Sequence, residues 1–541
     1  MASFCINETW TNSQVCELLE EAGLDKTKFK EKGIDGVALK LTDEDLKGMG
    51  ITDAKERLKY LNVIRNKNQH KVINDPIHGT IKLHPLLIRI IDTHQFQRLR
   101  NMKQLGGASF VYPGACHTRF EHSIGVAHLA GEFARALKPS ATAMDDKDVL
   151  CVQIAGLCHD LGHGPFSHLF EEVFVSAKKH EDISIRLFDY LVEENGLKPL
   201  MKLYGLKDID LTFIREMMNP KETYEGRTDD KYFLYEIVSN STNGVDVDKF
   251  DYFARDCHYL GLQNNFDHRR YLEFARVCEA DDGKTHICVR DKEVDNVYDI
   301  FQTRYRLHKR AYQHKVTKAV QLMIKDAFFE AKDLHIEGTG KKLCEASEDM
   351  AAFTKLTDHL FQQILYSDST DPKLRKAKEI LERIMSRDLY ECLLETEVTV
   401  SPSAPVHDLK EKIKDLKQTL TESLEGEGVK TPEDLEIMVG KYGWKEEDPI
   451  KDTYFYSKKE PTKAFKKSQN FKTHPAHIPQ SFIRVFIKNK RRGGQRITMN
   501  KDSVKRLKEW CKESGFGLQD DDKQQGEPFN MKMLKMSISN K

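Results

Sequence analysis

The chain has 541 residues and a mass of 62.5 kDa, which is too long for one ordinary hydrophobic core and suits two to four domains. Apolar residues make up 39% and charged residues 31%, so most of the chain is expected to fold. The 85 basic and 85 acidic side chains cancel, which excludes a global field that draws the protein to nucleic acid or a membrane. Any site for a polyanion is therefore local.

The first residues lack a basic flank followed by an apolar run, and no run of about 18 apolar residues occurs elsewhere. A soluble, intracellular protein is therefore expected. The 11 cysteines are scattered without a CxxC pair, which argues against a disulfide framework and predicts reduced core thiols. Several of the 21 histidines, in contrast, cluster between His117 and His180. That cluster is the candidate site of chemistry.

Residues 8–66 are predicted to form a small helical domain. Val15 and Leu19 recur at helical spacing, and Thr42 with Asp45 is typical of a capping box. Other features are an aromatic residue, two turns and a closing apolar helix face: Trp10, Ile34–Gly36, Met49–Ile51, and Leu58, Leu61 and Ile64. The stretch resembles a sterile-alpha-motif (SAM) domain, a five-helix interaction module. A generic helical bundle is the alternative.

The rest of the chain is predicted to be mainly α. Residues 70–400 form a large, all-helical domain in this prediction, and extended chain with a turn is expected near its start, around 72–79. The segment SPSAP at 401–405 begins a smaller α+β lobe over 401–520, with a charged helix and two short β-like runs, Thr453–Tyr456 and Phe482–Ile487. Residues 521–541 are polar and are predicted to be a flexible tail. We find no internal repeat.

Two histidine-rich strings predict a metal site: HTRFEHSIGVAHLA at 117–130 and CVQIAGLCHDLGHGPFSH at 151–168. His159 and Asp160 offer nitrogen and oxygen donors together, a mixture suited to a divalent metal. With His122 and Asp248 they give two imidazoles and two carboxylates from three helices, leaving room for water or a phosphate oxygen. A satisfied, hydrogen-bonded His-Asp pair is the alternative. The pattern resembles the HD superfamily of metal phosphohydrolases.

The strings GGASFVYPGACHTRFEHSIGV, LCHDLGHGPFSH and DYFARDCHYLG, behind a SAM-like domain, resemble the family of SAM and HD domain-containing deoxynucleoside triphosphate triphosphohydrolases. The resemblance implies a nucleotide-activated enzyme that cleaves between the 5′ oxygen and the α-phosphorus. The products are deoxynucleoside and inorganic triphosphate. It also implies control of nucleotide pools, restriction of viral DNA synthesis in innate antiviral defence, and a nuclear location, with the cytoplasm as an alternative.

The first catalytic candidates are Arg119 and His163. Arg119 lies three residues before His122 and so on the same helical face, where it can reach the α-phosphate as a fixed cation. A surface ion pair is the alternative. His163 follows His159 by one predicted helical turn, and the flanking glycines are expected to leave room for ligand. The resemblance implies that His163 contacts phosphate.

Three further residues are candidates for proton transfer. The resemblance implies that His168 donates a proton to the 5′ oxygen and that His180 supports this acid. Glu171 can orient one of these histidines and raise its basicity. For His180, an ordinary surface or core histidine is the alternative.

The implied substrate contacts lie on two predicted helices and one loop. Asp248, Tyr252 and Asp256 share one helix face, and a second helix is predicted to align Arg304, His308, Tyr312 and Lys315. The resemblance implies that Tyr312 and Leu105 exclude a 2′ hydroxyl and that Asp256 and Gln104 contact the 3′ hydroxyl. Core packing is the alternative. The full implied set is Gln104, Leu105, Arg119, His163, His168, Lys249, Tyr252, Asp256, Arg304, Tyr312 and Gln313.

The resemblance implies two activator sites in a homotetramer that dissociates to dimers or monomers without nucleotide. GTP occupies the first and a deoxynucleoside triphosphate the second; the residues are Lys71, Val72, Asn74, Asp92, Gln97 and Arg100, then Arg270, Arg290, Lys292, Asn296 and Lys315. Solvated charges are the alternative. Lys463 stands where the family pattern has arginine, which removes bidentate geometry.

The metal and the nucleic-acid question stay open at this point. Two histidines and two aspartates admit iron, zinc or manganese, with Mg²⁺ accompanying the nucleotide. Basic residues at Lys488–Arg496 with Phe482 and Phe486 suggest an alternative, an HD-type nuclease or a single-stranded nucleic-acid-binding scaffold. A non-enzymatic SAM scaffold is a third hypothesis.

Overall fold

A computed structural model describes most of the chain, and the described residues are 11–21, 23–35, 41–57, 60, 70–175, 179–221, 223–400, 409–425, 429–442, 450–466, 481–489, 491–492, 495–514 and 516–518. The chain divides into two compact units. The first comprises Met1–Tyr312, Val320–Arg387 and Glu447–Asn470, and the second Gln313–Ala319, Asp388–Glu446 and Phe471–Lys541. The predicted domain boundaries stay predictions, and segment 401–405 and the tail 521–541 lie outside the described residues.

Short helices begin the first unit: α1 Asn12–Glu21, α2 Thr27–Glu31 and α3 Asp43–Gly48. Val15 and Leu19 are buried with Phe29, as their spacing predicts. The capping box is confirmed, since Asp45 N donates to Thr42 Oγ1 and Thr42 N donates to the Asp45 carboxylate. Trp10, Gly36, Leu58, Leu61 and Ile64 lie outside the described residues.

The prediction of a mainly α fold is confirmed. The predicted extended chain and turn form an antiparallel hairpin, β1 Lys71–Asp75 and β2 Gly79–Leu83. The helices that follow are α4 Pro85–Ile91, α5 His94–Gln97, α6 Arg119–Leu137, α7 Asp146–Cys158, α8 His168–Phe174, α9 His180–Glu194, α10 Lys198–Leu203, α11 Asp208–Met218, α12 Tyr235–Val238, α13 Val247–Leu260, α14 His268–Glu273 and α15 Val294–Leu307. After these come α16 Lys315–Glu330, α17 Met350–Thr354, α18 Leu360–Leu365 and α19 Pro372–Met385.

Three of these helices position the candidate site, and their starts are encoded locally. A capping box between Thr118 and Glu121 opens α6, and one between Asp145 and Asp148 opens α7. The Asp246 side chain caps α13 by accepting from Lys249 N. Helix α7 is buried along almost its whole length because its sequence is apolar on all sides.

The first unit also contains strands that the helical prediction for residues 70–400 did not include. Strands β3 Ala275–Glu279 and β4 Thr285–Arg290 pair antiparallel. In the sheet order β3-β4-β7-β8, they are joined by β7 Tyr454–Tyr456 and β8 Phe465–Lys466. The β-like run at 453–456 is thus confirmed as a strand, but it belongs to the first unit.

The second unit is α+β, as predicted for the C-terminal lobe. Its sheet has the order β12-β5-β9-β6. The strands are β5 Glu391–Val400, β6 Leu435–Lys441, β9 Ser481–Ile487 and β12 Phe516–Leu518, and a two-stranded ribbon adds β10 Arg491–Arg492 and β11 Gln495–Arg496. Helices α20 Leu409–Leu424 and α21 Lys501–Glu513 contribute Leu416, Leu420 and Leu507 to its apolar core.

The structure bears on two expectations from the sequence, the reduced cysteines and the lack of a long apolar run. None of the ten described cysteines forms a disulfide, and seven of them are buried, which agrees with reduced core thiols. Within the described ranges, no helix combines the length and the apolar character needed to cross a bilayer.

Candidate active site

The predicted metal ligands converge between α6, the end of α7 and α13. Atoms of His122, His159 and Asp160 that can bind a metal all lie within 4.8 Å of one another. Asp248 Oδ1 lies 3.1 Å from His122 Nε2 and 3.4 Å from His159 Nε2. Both Nε2 atoms are buried and make no hydrogen bond within the described part of the chain. Buried polar atoms without partners are rare, so the donor set fits a divalent cation.

The other nitrogen of each imidazole is held by the protein. His122 Nδ1 lies 2.7 Å from Asp251 Oδ2, and His159 Nδ1 lies 2.8 Å from the Gly156 carbonyl oxygen. A proton on each Nδ1 satisfies these contacts and leaves the Nε2 lone pairs directed at the shared position. Asp251 therefore fixes the tautomer and the ring orientation of His122.

Electrostatics in this cluster also favour a cation. Burial opposes a charged imidazole, but the carboxylates of Asp248 and Asp251 raise the pKa of His122 to about 10. Burial also opposes ionisation of Asp160, yet the Arg119 guanidinium holds the pKa of that carboxyl well below its usual range. A metal cation that replaces the imidazole protons would supply the positive charge that these carboxylates favour.

Arg119 is the first residue of α6 and is almost fully buried. Its Nη1 forms an ion pair with Asp160, and its Nη2 donates to Ser167 Oγ at 2.7 Å. His163 Nε2 lies 3.3 Å from Asp160 Oδ1. Burial, reinforced by the positive charge of Arg119, holds the pKa of His163 well below its usual value. A cation and a neutral imidazole thus flank the metal position on one side.

The predicted one-turn relation between His159 and His163 is wrong. Helix α7 ends at Cys158, and residues 159–167 form a series of turns. Gly162 and Gly164 accommodate the protein itself rather than a ligand. A Cβ atom at Gly162 would lie 2.1 Å from His180 O, and one at Gly164 would lie 2.4 Å from the Phe170 ring.

A second cluster joins His163, His168 and His180 around Glu171. His168 Nδ1 lies 3.1 Å from Glu171 Oε2, and His180 Nδ1 lies 3.2 Å from Oε1 of the same carboxylate. Despite partial burial, these contacts hold the pKa of Glu171 well below its ordinary value. The His163 and His180 rings stack with centroids 4.0 Å apart. One carboxylate thus orients both histidines, where the sequence suggested one.

Two of the residues implied in sugar recognition, Tyr312 and Asp256, contact each other. The Tyr312 hydroxyl donates to Asp256 Oδ2, and His117 Nε2 lies 2.7 Å from Oδ1. Burial, together with the negative charge of Asp256, raises the pKa of Tyr312 well above its usual value. Gln104 comes directly after Lys103, which forms a β-bridge with Thr118. The Oε1 atom of Gln104 is buried and makes no hydrogen bond in the described residues.

Comparisons with known proteins agree with this geometry. A model of the SAM domain (sterile alpha motif) matches residues 8–66, and a model of the HD domain matches residues 119–256. The chain is 46% identical over 516 residues to the deoxynucleoside triphosphate triphosphohydrolase SAMHD1 of Homo sapiens, covering 89% of this chain and 82% of that protein. The chain belongs to the SAMHD1 family.

Other relatives widen the comparison. The SAMHD1 of Danio rerio is 46% identical over 492 residues, with 85% of this chain and 78% of that protein covered. The SAMHD1 homolog of Dictyostelium discoideum is 37% identical over 461 residues, covering 82% of this chain and 83% of that protein. The match to SAMHD1 relatives thus extends well beyond the HD domain.

Other implied substrate residues of this SAMHD1-family chain are arranged differently from the sequence expectation. The single helix predicted to align Arg304, His308, Tyr312 and Lys315 is interrupted. Helix α15 ends at Leu307, a π-helical turn follows at His308–Tyr312, and α16 starts at Lys315. The four residues therefore do not belong to one continuous α-helix.

The four remaining residues implied in substrate binding lie in different environments. Tyr252 is partly buried on α13, and burial raises its pKa well above the usual value. Lys249 Nζ contacts Asp246 Oδ2 at 2.9 Å, and Leu105 precedes a short 3₁₀ helix. Gln313 belongs to the second unit, where its carbonyl accepts from Arg484.

The residues implied for the first activator site lie on exposed parts of the first unit. Lys71, Val72 and Asn74 are exposed on β1, and Asp92 is exposed just after α4. Gln97 Nε2 donates to the Ile91 carbonyl oxygen at 2.8 Å. Gln97 also accepts from Arg100, whose guanidinium lies over the Phe120 ring.

The residues implied for the second activator site have partners within the protein. Arg270 and Lys292 both approach the Phe274 ring, and Asn296 contacts the backbone of Asp267. Arg270 pairs with Glu293, and Arg290 Nε lies 2.9 Å from Asp291. Lys315 belongs to the second unit. Lys463 is exposed and forms a β-bridge with Glu279 in the first unit.

The sequence reasoning missed several residues that hold this SAMHD1-family site together. Asp251 follows Asp248 by three residues and could have been found as the next carboxylate on that helix face. Its other oxygen contacts His78 Nε2 at 2.7 Å, and Arg255 bridges it to Asp75. No local pattern could have found Arg98, Ser167 or Asp358, because their partners lie far away in the chain.

Proposed function

We propose that this protein is a nucleotide-activated, metal-dependent hydrolase that converts deoxynucleoside triphosphates to deoxynucleoside and inorganic triphosphate. The observation that carries the proposal is the meeting of His122, His159, Asp160 and Asp248, where two buried imidazole nitrogens face the carboxylates without forming a hydrogen bond in the described residues. The activity named for the SAMHD1 relatives supports this choice of substrate.

The metal position is proposed to take iron, zinc or manganese, held by His122, His159, Asp160 and Asp248. When bound, such an ion supplies Lewis-acid activation of water and neutralises phosphate charge. Arg119 and His163 line the adjacent side and are proposed to hold the α-phosphate. Arg119 supplies a fixed cation, while His163 is kept neutral and can donate one hydrogen bond without a further charge.

His168 is proposed to deliver the proton that the departing 5′ oxygen requires. Its side chain is 68% exposed, and Glu171 holds its Nδ1. The Nε2 atom therefore remains available to carry the transferred proton. His180, held by the same carboxylate and stacked on His163, is proposed to limit movement of this acid.

Regulation is proposed to follow the family. GTP would bind near Asp92 and a deoxynucleoside triphosphate near Arg270, each with Mg²⁺, and together they would stabilise a homotetramer. The remaining implied substrate residues, Lys249, Tyr252, Arg304 and Gln313, are proposed as nucleotide contacts of the assembled enzyme. We further propose a nuclear protein that limits deoxynucleotide pools and thereby viral DNA synthesis.

The nucleic-acid alternative loses its aromatic component. Phe482 and Phe486 are completely buried in β9, so neither ring can stack on a base while the sheet is intact. The basic residues at Arg491–Arg492 do not by themselves distinguish a nucleic-acid site from a solvated surface.

The decisive assay incubates the metal-loaded protein with dGTP, GTP and Mg²⁺ and measures inorganic triphosphate. Deoxyguanosine and triphosphate are expected in equal amounts, since one bond breaks per turnover. A parallel reaction with single-stranded RNA should release no nucleotides. Release of pyrophosphate or inorganic phosphate as the primary product, or degradation of RNA alone, would contradict the proposal.

Tyr312 provides a test of sugar selectivity. If its ring excludes a 2′ hydroxyl, Tyr312→Ala should reduce the ratio of dGTP to GTP hydrolysis about tenfold, because a small steric difference in a pocket is worth about that factor. Tyr312→Phe is the matched control, since it removes only the hydroxyl that contacts Asp256. It should keep most of the selectivity. An unchanged ratio in folded Tyr312→Ala would make Tyr312 a packing residue.

A further inference from the structure

A buried carboxylate outside the proposed catalytic set joins two loops of the site. Asp358 lies between α17 and α18 and is only 9% exposed. Its Oδ1 accepts from Phe166 N at 2.8 Å, and its Oδ2 accepts from Lys103 N at 2.9 Å. These donors are 192 and 255 residues away in the chain. A buried carboxylate with both oxygens on backbone N–H groups is a specific cross-link.

The two loops carry residues proposed to act on substrate. Lys103 immediately precedes Gln104 and Leu105. Phe166 precedes Ser167, whose hydroxyl accepts from Arg119, and His168, which starts α8. The loops also touch directly, because a Cβ atom at Gly106 would lie 3.3 Å from Phe166 O. Asp358 thus sits where the sugar side and the phosphate side of the site meet.

The turn held by Asp358 has an uncommon backbone. Phe166 and Ser167 have positive φ values of 57° and 61°, which side-chain-bearing residues rarely adopt. Such a conformation persists only where the surroundings hold it. The Phe166 N–H bond to Asp358 is one such restraint. Without it, the turn can relax and carry Ser167 and His168 away from their present positions.

A buried guanidinium completes the frame. Arg98 donates to the carbonyl oxygens of Leu161 and His163, each at 2.9 Å, and to that of Leu356 at 3.0 Å. Burial lowers the pKa of Arg98 to about 9, and the nearby charge of Asp358 opposes that shift. Arg98 therefore binds carbonyl oxygens of the turns at 159–167, and Asp358 binds an N–H group of the same turns.

We propose that Asp358 is a positioning residue for the reaction. It fixes the Phe166–Ser167 turn against the Lys103–Gly106 loop, so that Ser167 orients Arg119 and His168 faces the leaving oxygen. The inference rests on the proposed function, because the groups it positions are those assigned to phosphate binding and proton donation. It predicts an effect on turnover that acts through the Ser167 turn, not through metal binding or folding.

The first test replaces Asp358 by asparagine, which keeps the shape but places an NH₂ group against one of the two N–H donors. Asp358→Asn should lower kcat for dGTP about 10- to 100-fold, a range typical of displaced catalytic groups. Metal content should stay at the wild-type level, and KM should change less than about threefold, because substrate binding by other groups is retained. Asp368→Asn, an exposed aspartate of the same region, is the matched control.

The second test is a double-mutant cycle. Ser167→Ala removes only the hydroxyl that accepts from Arg119 and should also lower kcat. If Asp358 acts through this turn, the double variant should lose little more than the more severe single variant. Losses that multiply, or an Asp358→Asn enzyme with wild-type kcat, would overturn the proposal.

Hydrogen exchange separates positioning from general stability. In Asp358→Asn, faster exchange should be confined to residues 101–106 and 161–168. Faster exchange throughout the chain, or failure to fold, would make Asp358 a stability residue and refute the positioning role. If the wild-type protein releases no triphosphate from any deoxynucleoside triphosphate, the proposed function fails. In that case, hydrogen exchange at residues 101–106 and 161–168 would still show whether Asp358 holds these two loops together.

Discussion

His159→Ala is expected to lose bound metal and dGTP hydrolysis together. His159 Nε2 is one of two buried imidazole nitrogens that lack a hydrogen-bond partner in the described residues, and Asp248 Oδ1 lies 3.4 Å from it. Removing it leaves the ion short of one ligand in a site where the remaining carboxylates cannot close the gap. Loss of a direct ligand should exceed the roughly 100-fold that outer partners of a metal site cost. Asp160→Ala should behave in the same way.

The measurement combines elemental analysis of the purified variant with triphosphate release from dGTP. His335→Ala removes an exposed histidine that lies outside every proposed site and should match the wild type in both readouts. Circular dichroism shows whether the variant folds. A folded His159→Ala protein with full metal content and full activity would overturn the metal assignment.

Asp92→Ala is expected to abolish assembly and activation by GTP while leaving the metal in place. Asp92 is exposed after α4, and its carboxylate is proposed to accept hydrogen bonds from the guanine N–H groups. Nucleotide that binds preferentially to the tetramer stabilises it, and assembly strengthens nucleotide binding by the same free energy. Loss of this coupling should reduce GTP stimulation at least about tenfold, within the range usual for allosteric coupling.

Sedimentation with and without GTP and a deoxynucleoside triphosphate checks the prediction, alongside metal analysis. Asp368→Asn again provides an exposed aspartate outside the proposed sites. Retention of full GTP stimulation by Asp92→Ala would remove Asp92 from the activator site. A wild-type protein that stays monomeric and hydrolyses dGTP at full rate without GTP would overturn the whole regulatory proposal.

The fold was predictable where periodicity and capping act locally. The capping box at Thr42, the hairpin β1–β2 and the strands β7 and β9 follow from short patterns. Strands β3 and β4 were missed because they are short and lie among helical patterns. Similarly, the sequence runs without a break from α15 into α16, and nothing local marks the π-helical turn at His308–Tyr312. The sheet partners of β7 likewise depend on distant residues.

The residue types of the candidate metal site were readable from the strings around His122, His159 and Asp248, because metal ligands require particular donor atoms in a characteristic order. These residues come together only because three helices pack against one another. The same packing buries two imidazole nitrogens that make no hydrogen bond in the described residues. Spacing misplaced His163, because the chain leaves α7 at Cys158 and turns. The turn is close-packed, which gives Gly162 and Gly164 a role in packing.

The helical class of the large domain and the donor atoms available for a metal could be read from local sequence patterns, and the two domain types from the resemblance of whole strings to known families. The helical class and the donor atoms are readable because periodicity and residue chemistry act over a few neighbouring positions. Three contacts, in contrast, become visible only in the folded chain: Asp251 orients His122, Glu171 holds two histidines, and Asp358 joins two loops. Hydrogen bonds between residues far apart in the chain depend on distances and angles that folding alone establishes.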